Sequence, residues 1–98
     1  MNHTLLTGPV IVTRYLGPTD SKGSRAIATH KRESSQRAWT KAVSWDPALD
    51  SETNHQNAAQ ALLDSWPYEN DLQIVGRGHD ADNYYWLTAG AWQLEQGA

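Results

Sequence analysis

The side chains best suited to binding a metal ion lie together in one short segment of the chain. His79, Asp80 and Asp82, followed by Asn83, place an imidazole and two carboxylates within a few residues of one another. Such donors suit zinc or manganese, but the glycine and the distal glutamate of a calcium-binding loop are missing. The alternative is a polar hairpin turn in which Asp and Asn side chains accept hydrogen bonds from nearby backbone amides. We predict the turn and no bound metal.

Nucleophilic catalysis needs a base beside the nucleophile, and no segment of the sequence provides that pair. There is no cysteine and no G-x-S-x-G segment. The histidines occur in unrelated contexts, at His3, His30, His55 and His79. His55 falls at the beginning of a predicted helix, so we expect it in the cap region or at the rim of the core. The sequence therefore predicts a protein that is not an enzyme and has neither a catalytic residue nor a cofactor.

Cationic side chains form the second candidate site. Residues 19–25 combine hydroxyls, a glycine and two cations in a loop whose backbone amides could bind an anion. The loop lacks the Walker pattern and does not open a helix, so nucleotide hydrolysis is not supported. With three further cations it could bind phosphates or an acidic protein surface; the alternative is a solvated basic edge that discourages sheet aggregation. The cations of this set are Lys22, Arg25, Lys31, Arg32 and Arg37.

Charge is divided unevenly along the chain. Residues 1–41 contain seven Lys or Arg and two Asp or Glu, a net charge of +5. Residues 42–98 contain one Arg and nine Asp or Glu, a net charge of −8, so the whole chain carries −3. Such a split is typical of interaction surfaces. The alternative is that the two halves face each other or alternate on a solvated surface.

Arg77 is the one cation of the acidic half and lies between two glycines. One interpretation is a bulge or turn in which Arg77 pairs with Asp80 or Asp82. The other is an exposed contact residue, and on that interpretation Arg77 completes the predicted partner-binding set.

Length and composition limit the remaining possibilities. Ninety-eight residues predict a single domain, residues 1–98, with a modest core and no deep catalytic cleft. Five tryptophans and four tyrosines, with no phenylalanine, must supply much of that core. No signal peptide precedes Gly8 and Pro9, and no apolar run approaches membrane-spanning length. We expect a cytoplasmic protein that does not bind membranes.

One helix is predicted over residues 53–66, where apolar residues follow a 3.6-residue repeat. Thr53 and Gln56 have the spacing of a capping box, and Pro67 should end the helix at or just before Trp66. A helix of this length is unstable alone in water, so it must pack on a sheet. The residues of its apolar stripe are Ala58, Ala59, Leu62, Leu63 and Trp66, and His55 extends the same stripe toward the helix start.

The remaining elements are predicted to be strands joined by polar turns. The strands are predicted over residues 9–16, 25–31, 37–45, 72–76 and 84–89. This order, β-β-β-α-β-β, predicts an α+β fold with one mainly antiparallel sheet of about five strands and one helix on one face. Residues 90–98 are predicted to be a tail in which Trp92 and Leu94 pair briefly or dock. The other face of the sheet must be solvated, or covered by a partner or a second copy.

The third predicted strand alternates clearly, but its inward side is open to two interpretations. Trp39, Val43 and Trp45 share a side with Lys41, and small residues occupy the other. Either the small residues make room for the helix, or the tryptophan side faces it and the Lys41 stem lies along the apolar surface.

Two segments carry a resemblance to known proteins. Residues 10–25 (VIVTRYLGPTDSKGSR) and 75–87 (VGRGHDADNYYWL) resemble stretches of small uncharacterised proteins of bacteriophages and other mobile elements of proteobacteria. In size, style and strand order the chain is also similar to some anti-CRISPR proteins, which are small non-enzymatic inhibitors that block a host surveillance complex. This resemblance implies a host protein or ribonucleoprotein complex as partner, in the bacterial cytoplasm. It assigns no binding residue.

Three functional hypotheses follow. The first is a phage or mobile-element protein that acts by stoichiometric binding to a host macromolecule, with an anti-CRISPR or other anti-defence role. The second is a nucleic-acid-binding accessory module that uses the basic N-terminal hairpins. The third is a self-associating structural protein that forms a homodimer through the open sheet face.

Overall fold

The structure is a computed structural model that describes residues 5–30, 38–65 and 71–96, with side chains to residue 94. Lys31, Arg32, Arg37 and Trp66 therefore lie outside the described residues. Over these ranges the chain forms one sheet and two helices. The elements are β1 (Val10–Leu16), β2 (Arg25–His30), β3 (Trp39–Ser44), α1 (Ser51–Asp64), β4 (Leu72–His79), β5 (Tyr84–Gly90) and α2 (Ala91–Gln96).

The five strands form one antiparallel sheet in the order β3-β2-β1-β5-β4. Helix α1 lies on one face, where it crosses β1, β2 and β3 and reaches β5. The predicted α+β class, with a single mainly antiparallel sheet and a helix packed on one face, is confirmed. Strand β1 is central because it pairs with β2 on one side and β5 on the other.

The core lies between α1 and the sheet, and small residues bring the two close together. On α1, Ala58 and Ala59 are fully buried and Leu62 is 2% exposed. They pack with Ala26 and Ala28 of β2, whose methyl groups let the helix backbone approach the strand. Burial of the Leu62 side chain contributes roughly 1.5–3 kcal/mol before its entropy cost.

Strand β3 settles the question of its inward side in favour of the tryptophan side. Val43 and Trp45 pack against the core, whereas Thr40 and Ala42 are exposed on the opposite face. Lys41 shares the α1 side of the sheet but is exposed.

Helix α1 begins earlier than predicted, and its cap is Asp50, not Thr53. The Asp50 Oδ1 atom accepts a hydrogen bond of 2.7 Å from the Thr53 backbone N–H. Both Asp50 and Thr53 are good N-cap residues. Asp50 takes the N-cap position because the Asn54 side chain joins the preceding loop to the helix by hydrogen bonds. The helix ends at Asp64, where Ser65 caps it.

The Asn54 side chain holds the loop that leads into α1. Its Oδ1 atom accepts from the Asp46 N–H at 2.8 Å, and its amide nitrogen donates to the Asp46 and Asp50 carbonyls at 2.9 and 3.0 Å. The side chain is buried, 4% exposed. Buried polar groups of this kind are costly to leave without partners.

We predict that Asn54→Ala lowers the free energy of unfolding by roughly 1–3 kcal/mol, because the loop amide and carbonyls lose their partner. Asn54→Asp should cost at least as much, since a carboxylate accepts from Asp46 but faces two carbonyl oxygens. Urea unfolding followed by circular dichroism measures both. Equal stability of Asn54→Asp and the wild type would contradict this role.

Strand β4 is longer than predicted. The expected turn over residues 77–83 begins only after His79, because β4 continues to pair with β5 up to His79 opposite Tyr84. The pairing register shifts between Ile74 and Gly76, just before the predicted bulge or turn, and residues 76–78 themselves pair regularly with β5. Glycine lowers strand propensity but does not prevent ladder pairing.

The segment predicted as a tail forms the short helix α2, which is tied to the first described residues. The Thr7 N–H donates to Gln93 Oε1 at 3.0 Å, and Gln93 Nε2 donates to the Thr7 carbonyl at 2.7 Å. The next residue after Thr7, Gly8, runs so close to β5 that a Cβ there would lie 2.0 Å from the Thr88 carbonyl oxygen. Neither helix within the described residues is long and apolar enough to cross a membrane.

Candidate functional site

Within the described ranges, the sheet surface opposite α1 carries no helix over most of its area, and we call it the open face. Directly paired residues of antiparallel strands share a face, so the register assigns its members. Val12, for example, pairs with Thr29 on one side and Tyr85 on the other. The members of the open face are Val10, Val12, Arg14, Leu16, Arg25, Ile27, Thr29, Thr40, Ala42, Ser44, Tyr85 and Leu87.

The middle of the open face is aliphatic. Val12, Ile27 and Leu87 are half-buried there, and Val10 is 43% exposed. An antiparallel sheet with one solvated face normally alternates apolar residues inward and polar residues outward. Here both sides of β1 are apolar. This apolar surface is therefore a candidate interaction site.

Two arginines border this aliphatic surface. Arg14 is exposed and lies opposite Ile27, while Arg25 is half-buried and lies opposite Leu16. Arg25 Nη1 donates to the Gly23 carbonyl at 3.3 Å, which turns the guanidinium toward the loop that carries Lys22. Within the described residues, neither arginine forms an ion pair.

The strands contain no balancing carboxylate. None of the five strands of the described sheet includes Asp or Glu. The acidic residues of the described ranges lie in α1, in α2 and in the connecting segments. The uneven charge of the sequence therefore becomes a difference between a cationic sheet and acidic loops and helix. This arrangement favours a partner surface that supplies carboxylates.

The structure brings together only part of the predicted partner-binding set. Lys22 and Arg25 lie at the same end of the open face. Arg77 does not join them, because it pairs with Trp86 and so points to the α1 side. There it forms an ion pair with Glu52, so the predicted pairing with Asp80 or Asp82 is wrong. Lys31, Arg32 and Arg37 lie outside the described residues.

Sequence reasoning missed Arg14 as a contact residue. The strict alternation of β1 places it on the same side as Val10, Val12 and Leu16. That pattern was visible in the sequence, but only the packing of α1 on Ile11 and Thr13 shows that the Arg14 side faces away from α1.

A buried polar network lies on the other side of the sheet, under α1. Thr13 Oγ1 accepts from the Trp86 indole N–H at 2.9 Å and lies 2.8 Å from His55 Nδ1. All three side chains are buried. The Thr13 hydroxyl and His55 Nδ1 share one hydrogen bond, and the His55 tautomer sets which of them donates.

His55 is therefore a core residue, and its predicted place in the cap region or at the rim is wrong. The reason is that α1 begins at Ser51, which puts His55 in the second turn, facing the sheet. Its ring packs edge-on against Trp45 at 5.8 Å and lies 4.5 Å from Tyr84. Since Thr13 is fully buried and His55 only 4% exposed, no substrate reaches this pair. The network stabilises the fold.

Burial lowers the pKa of His55, and a hydrogen bond with the Thr13 backbone opposes part of that shift. In the unfolded state the pKa of His55 is near 6.5, so His55 binds a proton there at pH values at which it stays neutral in the folded state. We predict that the contribution of His55 to the free energy of unfolding is constant above the unfolded-state pKa of this residue. It falls as the pH decreases through that pKa. The fall should level off below the lowered folded-state pKa.

Urea unfolding at a series of pH values measures this dependence. His55→Gln should flatten the slope, because glutamine does not titrate and can still accept from Thr13. His79→Gln is the matched control at an exposed histidine and should leave the slope in place. A slope carried by His79 instead of His55 would contradict the assignment.

The segment proposed as a metal-binding alternative folds as the predicted turn. Asp80 Oδ1 accepts from the Asp82 and Asn83 backbone N–H groups at 2.9 and 2.8 Å, and Oδ2 accepts from the Tyr85 hydroxyl. The Tyr85 bond, followed by the backbone bonds, lowers the pKa of Asp80. Across the described ranges, no group of three His, Asp or Glu side chains could hold a metal ion.

A cleft of about 210 Å³ lies between α1 and β4, beside the ion pair of Arg77 and Glu52. Gln56, Ile74 and Trp86 line it. Small-molecule sites usually enclose roughly 300–1,000 Å³ and bury most of their ligand. The cleft is smaller than that, and the cation that lines it, Arg77, is paired with Glu52. The open face remains the best candidate site.

Comparison with protein-family models, with curated proteins and with solved structures found no match to this chain. The resemblance of residues 10–25 and 75–87 to bacteriophage proteins therefore stays a prediction. The function has to be argued from the geometry of the chain itself.

Proposed function

We propose that the protein acts without catalysis, by stoichiometric binding of another protein, and that the open face is its docking surface. The observation that supports this most strongly is the composition of that face. It joins an aliphatic centre to two arginines that have no ion-pair partner among the described residues. The partner it fits is a protein surface with apolar side chains at its centre and carboxylates at its border.

The same composition argues against nucleic acid as the main partner. Proteins that bind single strands stack bases on aromatic rings along a positive groove. On the open face the only aromatic residue of the described strands is Tyr85, and its hydroxyl is bound to Asp80. Tyr15, Trp39 and Trp45 lie on the α1 side, and the chain carries a net charge of −3. Aliphatic side chains instead favour a protein partner.

A bacterial host protein or ribonucleoprotein complex is the partner that the resemblance to phage and anti-CRISPR proteins implies. In that case expression of the protein on a CRISPR-active host should restore plating of a targeted phage. Unchanged plating would remove the anti-CRISPR role and leave the docking surface to be tested separately.

The docking surface is tested by affinity capture with two variants of equal charge. Arg14→Gln and Asn57→Asp each lower the net charge by one, but Arg14 lies on the open face and Asn57 is exposed on α1. We expect a protein recovered in a fixed molar ratio by the wild type and by Asn57→Asp. Arg14→Gln should recover at least tenfold less of it, because a charged contact beside an apolar surface contributes well over 1 kcal/mol.

Equal recovery by both variants would contradict the proposal. A labelled single-stranded DNA and an RNA of the same length form the second arm. Tight binding of either, with affinity that falls steeply as salt increases, would favour nucleic acid as the partner instead.

A further inference from the structure

The outer edge of β3 carries little of the protection that edge strands usually have. Within the described residues β3 is the last strand on its side, and it pairs with β2 without interruption from Trp39 to Ser44. It contains no proline, no glycine and no bulge. Edge strands are normally protected by such features, because their unpaired backbone groups invite another strand.

The opposite edge, β4, does carry protection. Its register shifts at Val75, two glycines follow, and Arg77 is held in an ion pair with Glu52. On β3 the one charged residue is Lys41. The sheet therefore has one edge suited to further pairing and one that is not.

The backbone groups that β3 presents outward can be assigned. The Trp45 N–H donates to the Ser24 carbonyl at 2.9 Å, so the backbone groups of Trp45 point toward β2. Because the direction of these groups alternates along a strand, those of Val43, Lys41 and Trp39 also point toward β2. The N–H and C=O groups of Thr40, Ala42 and Ser44 point outward, where no described residue pairs with them.

We propose that a second copy of this chain pairs with that edge, β3 antiparallel to β3, about a two-fold axis at Ala42. In this register Ala42 faces Ala42 of the second copy, and Thr40 faces its Ser44. The outward groups of all three residues then find partners on the other chain, giving six backbone hydrogen bonds.

The side chains favour this register over its neighbours. Each residue must pair with one whose side chain points to the same face of the sheet. The two-fold axis can therefore lie only at a residue of β3, and not between two residues. Centring the axis on Lys41 would put two lysines opposite each other, which is destabilising. Centring it on Val43 or on Thr40 would leave outward groups at one end of each strand without a strand partner. The axis at Ala42 avoids both costs.

The same register gives the exposed Trp39 side chain an aromatic neighbour. Trp39, 40% exposed, would lie opposite Trp45 of the second copy on the α1 side. Lys41 would lie opposite Val43. The two sheets would join into one, with both open faces on one side and both α1 helices on the other. This pairing does not use the open face and does not depend on what binds there.

Sedimentation of the full chain tests the dimer. Wild type should sediment as a dimer at high concentration, and Ala42→Lys should sediment as a monomer, because it places two like charges at the axis. Gln73→Lys is the matched control, since it adds the same charge to the exposed face of the other edge strand. It should remain dimeric. Monomeric wild type at the highest soluble concentration, or a dimer that Ala42→Lys leaves intact, would overturn the proposal.

Cysteine crosslinking tests the register, because the chain has no cysteine of its own. In the proposed pairing the two Ala42 Cα atoms lie about 5.5 Å apart, within disulfide range, so Ala42→Cys should crosslink on mild oxidation. Thr40→Cys is equally exposed, but its two copies would be separated by four residues, about 14 Å, and should not crosslink. A crosslink with Thr40→Cys and none with Ala42→Cys would place the axis elsewhere and overturn the proposed register.

Discussion

Replacing Trp86 with alanine should lower the free energy of unfolding by about 3–5 kcal/mol. Trp86 is 1% exposed and packs between α1 and the middle of the sheet, with its ring stacked 6.0 Å from Tyr84. Its removal leaves a large cavity and takes a donor from Thr13. A domain of this size has a total stability of roughly 5–15 kcal/mol, so a large part would be lost. Urea unfolding followed by circular dichroism measures the loss.

Trp86→Phe separates the packing from the hydrogen bond. It keeps an aromatic ring in the core but cannot donate to Thr13, so it should cost less than Trp86→Ala and more than nothing. A loss below about 1 kcal/mol for Trp86→Ala would contradict the burial of this side chain.

Replacing Thr13 with valine should have the second-largest effect, although the two side chains have nearly the same shape. The substitution removes one hydroxyl. It leaves two buried groups without a hydrogen-bond partner, the Trp86 N–H and His55 Nδ1. Each costs roughly 1–3 kcal/mol when it is buried without a partner. Urea unfolding should therefore show a loss of stability even though an apolar methyl replaces a polar group in the core.

Two controls make this prediction specific. Thr13→Ser keeps the hydroxyl and should lose less stability than Thr13→Val. Thr29→Val makes the same chemical change on the half-buried open face of β2 and should be close to neutral. If Thr13→Val were as stable as wild type, the hydrogen bonds of the network would not contribute to folding.

Local patterns were sufficient to predict the five strands and α1, whereas α2 was predicted to be a tail. The 3.6-residue repeat of Ala58, Ala59, Leu62 and Leu63 predicted α1, and β-branched and aromatic runs predicted all five strands. The start of α1 could not be fixed in this way. Asp50 and Thr53 both suit an N-cap, and the choice depends on Asn54, whose partners are backbone groups of a loop.

The buried network could not be predicted, because it depends on residues far apart in the chain. Thr13 is 42 residues from His55 and 73 residues from Trp86. Only the pairing of β1 with β5, and the position of α1 over that pair, brings them together. A lone histidine near a helix start carries no sign of such partners.

The candidate site was predictable only in part, for a related reason. The cations of the first hairpin were visible as a group, and Lys22 and Arg25 do lie at one end of the open face. Both sides of β1 are apolar, so the alternation of the strand did not show which side faces α1. Arg14 could be placed on the open face, and Arg77 away from it, only after the strand order was known.

Isothermal titration with the captured partner, once purified, tests most directly whether the open face binds a protein. We expect one partner per chain and a negative heat-capacity change from apolar burial. We also expect the affinity to be at least tenfold weaker for Arg14→Gln and unchanged for Asn57→Asp. Equal affinities for the two variants, or weakening by Asn57→Asp alone, would contradict the claim, because binding would then take place on the α1 side.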